Sequence, residues 1–123
     1  MDRHSNAPTK VLLVEDDEML RHSIARSLSK AGFVVTPTGT GGEALKACRD
    51  ERPDVALIDV FLPDSGGLGV ARELRRGLGS IPVLFMTGLS LPVVREALSP
   101  SPVLFKPFTR RQLLSLLRGV TAA

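Results

Sequence analysis

The chain has no tryptophan, no tyrosine and a single cysteine, and aromatic residues make up only 4% of its 123 positions. A lone Cys48 cannot close an internal disulfide, so nothing points to an oxidising compartment. Without Trp or Tyr there is little to stack on bases, which argues against a platform for single-stranded nucleic acid. The formal charge is +3, but arginine is scattered along the chain, doubled only at Arg75-Arg76 and Arg110-Arg111. That excess reads as solvated helix faces and not as a footprint for nucleic acid. No apolar run approaches the roughly 20 residues that a membrane-spanning helix needs. The polar start MDRHSNAPTK also lacks the apolar stretch of a secretory signal. These absences set the expectation of a cytoplasmic protein that touches neither membrane nor nucleic acid directly.

What is present is an ordinary globular composition, 43% apolar and 24% charged. The length suits one domain, large enough to bury a core without disulfides or structural metal. Residues 1–9 read as a flexible tail and 10–120 as the domain, with no effector domain expected after it.

Short apolar runs alternate with helical patterns five times. Val11-Leu12-Leu13-Val14 is continuous and β-branched at both ends, as a strand covered on both faces should be. Leu20, Ile24 and Leu28 recur every four residues and predict a helix over 18–31, ended by Gly32. Phe33-Val34-Val35 predicts the second strand, and 41–50 the second helix with Ala44, Leu45 and Cys48 inward. Pro53 opens a third strand, Val55-Ala56-Leu57-Ile58, and Leu68, Ala71, Leu74 and Leu78 mark the helix after it. Ile81 to Met86 is the fourth strand, 92–98 a short fourth helix and Val103-Leu104-Phe105 the fifth strand. A last helix over 109–120 lines up Leu113, Leu116, Leu117 and Val120.

Strict alternation of this kind predicts an α/β architecture with right-handed crossovers and helices on both sheet faces. The expected form is a doubly wound, five-stranded parallel sheet in the flavodoxin-like order 2-1-3-4-5. The chain is too short for an eight-unit barrel. Ligands on such sheets bind beyond the carboxyl ends of the strands, near the switch between strands 1 and 3.

The first strand ends in Glu15-Asp16-Asp17, the third in Asp59, the fourth in Thr87-Gly88 and the fifth in Lys106-Pro107. Each has a plain reading by itself. Acids after a strand cap the next helix, Thr87 suits a turn, and Lys106 suits a solvated surface. Asp59 resists that treatment, because it stands between apolar runs on both sides. Taken together the set has a specific chemistry. A carboxylate can attack a phosphoryl donor and hold the phosphate as an acyl phosphate. Crowded carboxylates repel, and a hard divalent cation would neutralise them while clamping phosphoryl oxygens. Lys106 would supply charge to a further oxygen and Thr87 a hydroxyl, with Gly88 leaving room.

Val-Glu-Asp-Asp at 14–17, Asp-Val-Phe-Leu-Pro-Asp-Ser-Gly-Gly at 59–67, Met-Thr-Gly at 86–88 and Phe-Lys-Pro-Phe at 105–108 closely resemble the signature segments of two-component receiver domains. The resemblance runs over 10–120 with every segment in the family's order. It implies that Asp59 is the phosphoacceptor, and that Glu15, Asp16, Asp59 and the backbone carbonyl of Phe61 hold Mg²⁺. Thr87 would be the switch hydroxyl, Lys106 the family's lysine, and the Lys106-Pro107 bond cis. The implied function is a phosphoacceptor switch of a phosphorelay, taking its phosphoryl group from a sensor histidine kinase or histidine phosphotransfer protein. The region of helix 1 beside Glu15 and Asp16 would dock that partner. The implied catalysis is confined to the domain's own Mg²⁺-dependent phosphorylation and dephosphorylation.

Three other readings compete. Gly39-Thr40-Gly41-Gly42-Glu43-Ala44 fits a dinucleotide fingerprint formally, but a strand and a helix precede it, so small residues opening a second helix are the better account. A haloacid-dehalogenase-type phosphatase would place its nucleophile on the first strand and a second acid two residues later, where this chain has Phe61. A pseudo-receiver, binding partners without phosphorylation, would need neither Mg²⁺ nor Asp59. His4 and His22 lack ligand spacing, and Cys48 and Met86 read as apolar filling.

The chain also departs from the family pattern. Val103 stands where many receivers carry a mobile aromatic, three residues before the lysine. The stretch from Thr87 to Lys106 is short and broken by Pro92, Pro100 and Pro102, so an abbreviated fourth helix is expected. Phe61 and Leu89 would flank the phosphoryl group, and apolar side chains there position no water.

Overall fold

A computed structural model describes residues 7–64, 66–89 and 91–122. His4 and the start of the expected tail lie outside the described residues. The chain alternates β1 (Lys10–Val14), α1 (Glu18–Lys30), β2 (Val34–Thr38), α2 (Gly41–Asp50), β3 (Val55–Asp59), α3 (Gly66–Leu78), β4 (Val83–Thr87), α4 (Pro92–Leu98), β5 (Val103–Phe105) and α5 (Arg110–Thr121). All strand pairs are parallel. Their order, β2-β1-β3-β4-β5, is the one the sequence predicts.

The period-two alternation of strand side chains divides the core in two. On one face Leu12, Val14, Ala56, Ile58, Val83 and Phe85 meet Ala44 and Cys48 of α2, Val70, Ala71 and Leu74 of α3, and Leu98 of α4. On the other, Val11, Leu13, Val55, Leu57, Leu84 and Met86 meet Ile24 and Leu28 of α1 and Leu113, Leu114 and Leu117 of α5. Burying each large side chain contributes roughly 1.5–3 kcal/mol, so this double layer is what holds the strand ends in register.

Local signals set most element ends. Asp17 caps α1 by accepting from the Leu20 amide, and Gly32 follows that helix with φ of 98°. Thr109 and Gln112 form a reciprocal capping box at α5. Two strands are shifted from their predicted spans. The second begins after Phe33 and runs through Pro37 to Thr38, which is tolerated because β2 is an edge strand with a single neighbour. The fourth begins after Pro82 and takes in Thr87. In α3 the inward position belongs to Val70, while Leu68 is 42% exposed. The fourth helix is short, at seven residues. The Lys106-Pro107 and Ser99-Pro100 bonds are both cis.

Burial raises the Cys48 thiol above its ordinary value. Because the thiolate is the nucleophile, iodoacetamide labelling of the native protein at pH 8 is expected to be slower than labelling in urea by about tenfold or more. Equal rates would show that the packing of α2 against the sheet and α3 does not cover this residue.

Candidate functional site

The side-chain parity that builds the core also builds the site. Glu15 follows Val11 and Leu13 in alternation, Asp59 follows Val55 and Leu57, and Lys106 follows Leu104. All three therefore leave the sheet towards the layer of α1 and α5, from the ends of β1 and β3, which are neighbours, and of β5, which lies one strand beyond β4 from β3. Main-chain bonds fix those ends in place: Glu15 N donates to Thr38 O at 3.0 Å, Val60 N to Met86 O at 2.9 Å and Lys106 N to Thr87 O at 2.8 Å.

The result is a compact charged cluster. The Lys106 ammonium lies 2.7 Å from Glu15 Oε1 and 2.8 Å from Asp59 Oδ2, and both carboxylates are buried. The second oxygen of each is held by backbone: Glu15 Oε2 accepts from Asp17 N and Asp59 Oδ1 from Phe61 N, both at 3.0 Å. Carboxylate oxygens of Glu15, Asp16 and Asp59 lie within 4.8 Å of one another. Three carboxylates against one ammonium leave the site formally short of two positive charges. An all-oxygen, acid-rich donor set of this kind suits a hard divalent cation.

Burial pushes the Glu15 carboxyl above the ordinary glutamate value. The hydrogen bonds from Lys106 and the Asp17 amide pull it back in part, while the charge of Asp59 adds to the rise. Burial works against the Lys106 ammonium too, but its bonds to Asp59 and Glu15 outweigh this, and its pKa rises.

Of the two acids after Glu15, the structure divides the work. Asp17 is the helix cap, and Asp16 is the exposed member of the carboxylate cluster. Thr87 is buried at the end of β4 and on the opposite face parity, its hydroxyl accepting from Leu89 N at 3.1 Å. It is therefore held beside the carboxylate cluster and not in it. Phe61 and Leu89 are 56% and 46% exposed at the rim. His22 is exposed and remote in role, and Thr40 of the glycine-rich segment caps α2.

Two supporting residues escape a reading of the sequence. Arg21 of α1 donates to the carbonyl oxygens of Glu15 at 2.9 Å and Asp16 at 3.4 Å, clasping the loop that carries both acids. A Cβ at Gly39 would come within 2.9 Å of that guanidinium, so the glycine leaves room for it. The signal was an arginine three residues before Ile24 and seven before Leu28, on the inward stripe of the helix. Gly67 packs against the backbone of Asp59 and Val60 so closely that an added Cβ would fall on the Asp59 carbonyl oxygen.

Residues 11–118 match the response regulator receiver domain family, and the chain belongs to that family. Over 123 aligned residues it is 33% identical to the probable transcriptional regulatory protein TcrX of Mycobacterium tuberculosis, covering 98% of this chain and 53% of that protein. It is 35% identical over 116 residues to the response regulator MprA of Mycolicibacterium vanbaalenii, covering 92% of this chain and 50% of MprA. The chain thus spans about half the length of these relatives. Among solved structures it is similar to the chemotaxis protein CheY4 of Vibrio cholerae, with a TM-score of 0.86 at 30% identity over 93% of this chain and 99% of that one. It is also similar to the receiver domain of the sensor histidine kinase PA1611 from Pseudomonas aeruginosa, with a TM-score of 0.85 at 29% identity over 95% and 100% of the two chains. That structure has a magnesium ion coordinated in its active-site cleft.

Because the Glu15 pKa is raised in the folded state, protonation of Glu15 favours the fold. Its contribution is complete below the ordinary glutamate value and is lost as pH rises through the raised one. In metal-free buffer, the melting temperature of the wild type should fall relative to Glu15→Gln between pH 4.5 and 7. A difference between the two proteins that stays constant across that range would rule the effect out.

Proposed function

We propose that this chain is a phosphoacceptor switch in which Asp59 receives a phosphoryl group from a sensor histidine kinase or a histidine phosphotransfer protein. The observation that carries this reading is the Lys106 ammonium held at 2.7 and 2.8 Å between two buried carboxylates from different strands. A lysine so placed pairs directly with the nucleophilic carboxylate in a buried setting, and it can follow negative charge onto an incoming phosphoryl oxygen.

In this mechanism an Asp59 carboxylate oxygen attacks the donor's phosphorus, the phosphorus–nitrogen bond of the phosphohistidine breaks, and an acyl phosphate forms as the imidazole leaves. Glu15, Asp16, Asp59 and the Phe61 carbonyl would hold Mg²⁺, which supplies charge neutralisation to the transferring group. Lys106 then pairs with the phosphate, and the Thr87 hydroxyl, whose oxygen accepts from Leu89 N, donates its proton to a phosphate oxygen. Phosphorylation adds roughly 1.5–2 negative charges, and the arrangement of the loops after β4 and β5 that best bonds this charge gains population. The face of α1 beside Glu15 and Asp16, open at Asp16 and at Met19, is the docking side for the phosphoryl donor. Signalling passes to a protein partner, with no direct contact to nucleic acid or membrane by this domain; among the described residues no helix is long and apolar enough to cross a membrane.

The direct measurement is intact-protein mass spectrometry after incubation with acetyl phosphate and Mg²⁺. One phosphoryl group should be gained, and both Asp59→Asn and a chelator should abolish the gain. Folded protein that gains nothing from acetyl phosphate or from any phosphorylated donor would instead be an interaction module that works without phosphorylation.

The lifetime of the phosphorylated form follows from the rim. Phe61 and Leu89 offer no polar atom in their side chains to orient an attacking water. Self-dephosphorylation is therefore expected over minutes or longer, and Phe61→Asn should shorten it. A wild-type lifetime of seconds would contradict this account.

A further inference from the structure

The loop from Asp59 to α3 is anchored at a third point that belongs to neither element. Asp64 Oδ1 accepts from Gly41 N and Asp64 Oδ2 from Gly42 N, each at 3.2 Å, across 22 to 23 residues of sequence. These amides are the first two of α2. The helix does not need Asp64 for its other end-group bonds, because Thr40 Oγ1 accepts from Glu43 N at 3.1 Å and Glu43 Oε1 from Gly39 N at 2.8 Å. The α2 start is thus satisfied by two independent devices, one within the helix segment and one supplied by the loop of the candidate site.

Loop 60–64 is correspondingly pinned on both sides of Phe61. Before it, Val60 N donates to Met86 O at 2.9 Å and Phe61 N to Asp59 Oδ1 at 3.0 Å. After it, Leu62 is buried and Asp64 reaches α2. Phe61 itself is 56% exposed, so its side chain does little to hold its own backbone.

We propose that Asp64 is a positioning residue for the metal site, clamping loop 60–64 to the start of α2 so that the Phe61 backbone is already in place for Mg²⁺. This rests on the reading of the Phe61 carbonyl as a metal ligand given above. A carboxylate at a helix N-terminus is favoured by both the exposed amides and the helix dipole. A clamp made before the ion arrives removes an ordering cost from the binding step. Supports of this outer kind typically alter metal affinity by about 10–100-fold when removed. Asp64 touches no ion directly in this scheme, and it acts through the loop.

The test is Mg²⁺ binding by the full chain without any phosphoryl donor, followed by calorimetry, since the protein has no tryptophan to report binding by fluorescence. Asp64→Ala should weaken Mg²⁺ about tenfold, whereas Thr40→Ala, which removes the other cap of the same helix, should bind as the wild type does. Asp64→Asn, the gentler change if the alanine variant does not fold, should lose affinity in the same direction by a smaller factor. Wild-type affinity in a folded Asp64 variant would overturn the proposal, as would an equal loss in Thr40→Ala, which would make the effect one of helix stability alone. Failure of the wild type itself to bind Mg²⁺ would overturn the functional reading together with this one, and it differs visibly from failure in the variants only.

Discussion

Everything about this site depends on one ammonium group placed between two buried carboxylates. Lys106 comes from the last strand and its partners from the first and third, so the contact spans 91 residues to Glu15 and 47 to Asp59. Such a contact exists only if the sheet has the order β2-β1-β3-β4-β5 and if each strand ends at the right residue. Breaking a buried pair on one side leaves a charge without compensation, which costs several kcal/mol (about 3–5). The two-layered apolar core therefore has a second consequence beyond stability: it holds these charges at bonding distance with little freedom to relax.

The acidic excess gives the site its character. Ordinary surfaces avoid crowding carboxylates, and a structure that keeps three of them within 4.8 Å must hold them by backbone and packing. Here the main chain does much of that work: the Asp17 and Phe61 amides hold Glu15 and Asp59, and Arg21 grips the carbonyls of Glu15 and Asp16. The site is prepared for positive charge beyond that of Lys106, which is how electrostatic preorganisation is built.

The far side of the sheet shows where this chain differs from the pattern it resembles. Val103 is buried in the core, and the aromatic residue of β5 is Phe105, in register with Thr87 and covered by the Arg95 guanidinium at 4.7 Å from its ring centroid. With α4 reduced to seven residues, the surface of α4 and β5 is built from a short helix and one stacked arginine.

The amino-acid sequence by itself determined the order of elements and the residues at the strand ends. Apolar runs bounded by Gly and Pro are local signals, and Glu15, Asp16, Asp59, Thr87 and Lys106 all lie next to such runs. Their roles were legible only through the signature segments around them, since each residue alone had a plain explanation. Strand bounds near Phe33 and Ile81 were not legible, because pairing with neighbours, and not local preference, decides where a ladder begins. The resemblance already placed Asp16 and not Asp17 at the metal site, and the tertiary structure showed what Asp17, the identical side chain one position on, does instead: it caps α1. Only the tertiary structure showed that Arg21 clasps the loop before its own helix and that Asp64 reaches the first amides of α2, 22 to 23 residues away. Hydrogen bonds across 20 or more residues leave no periodic trace in a sequence. They are set when packing brings distant backbone amides and carbonyls within reach, and that distance is a property of the folded chain alone.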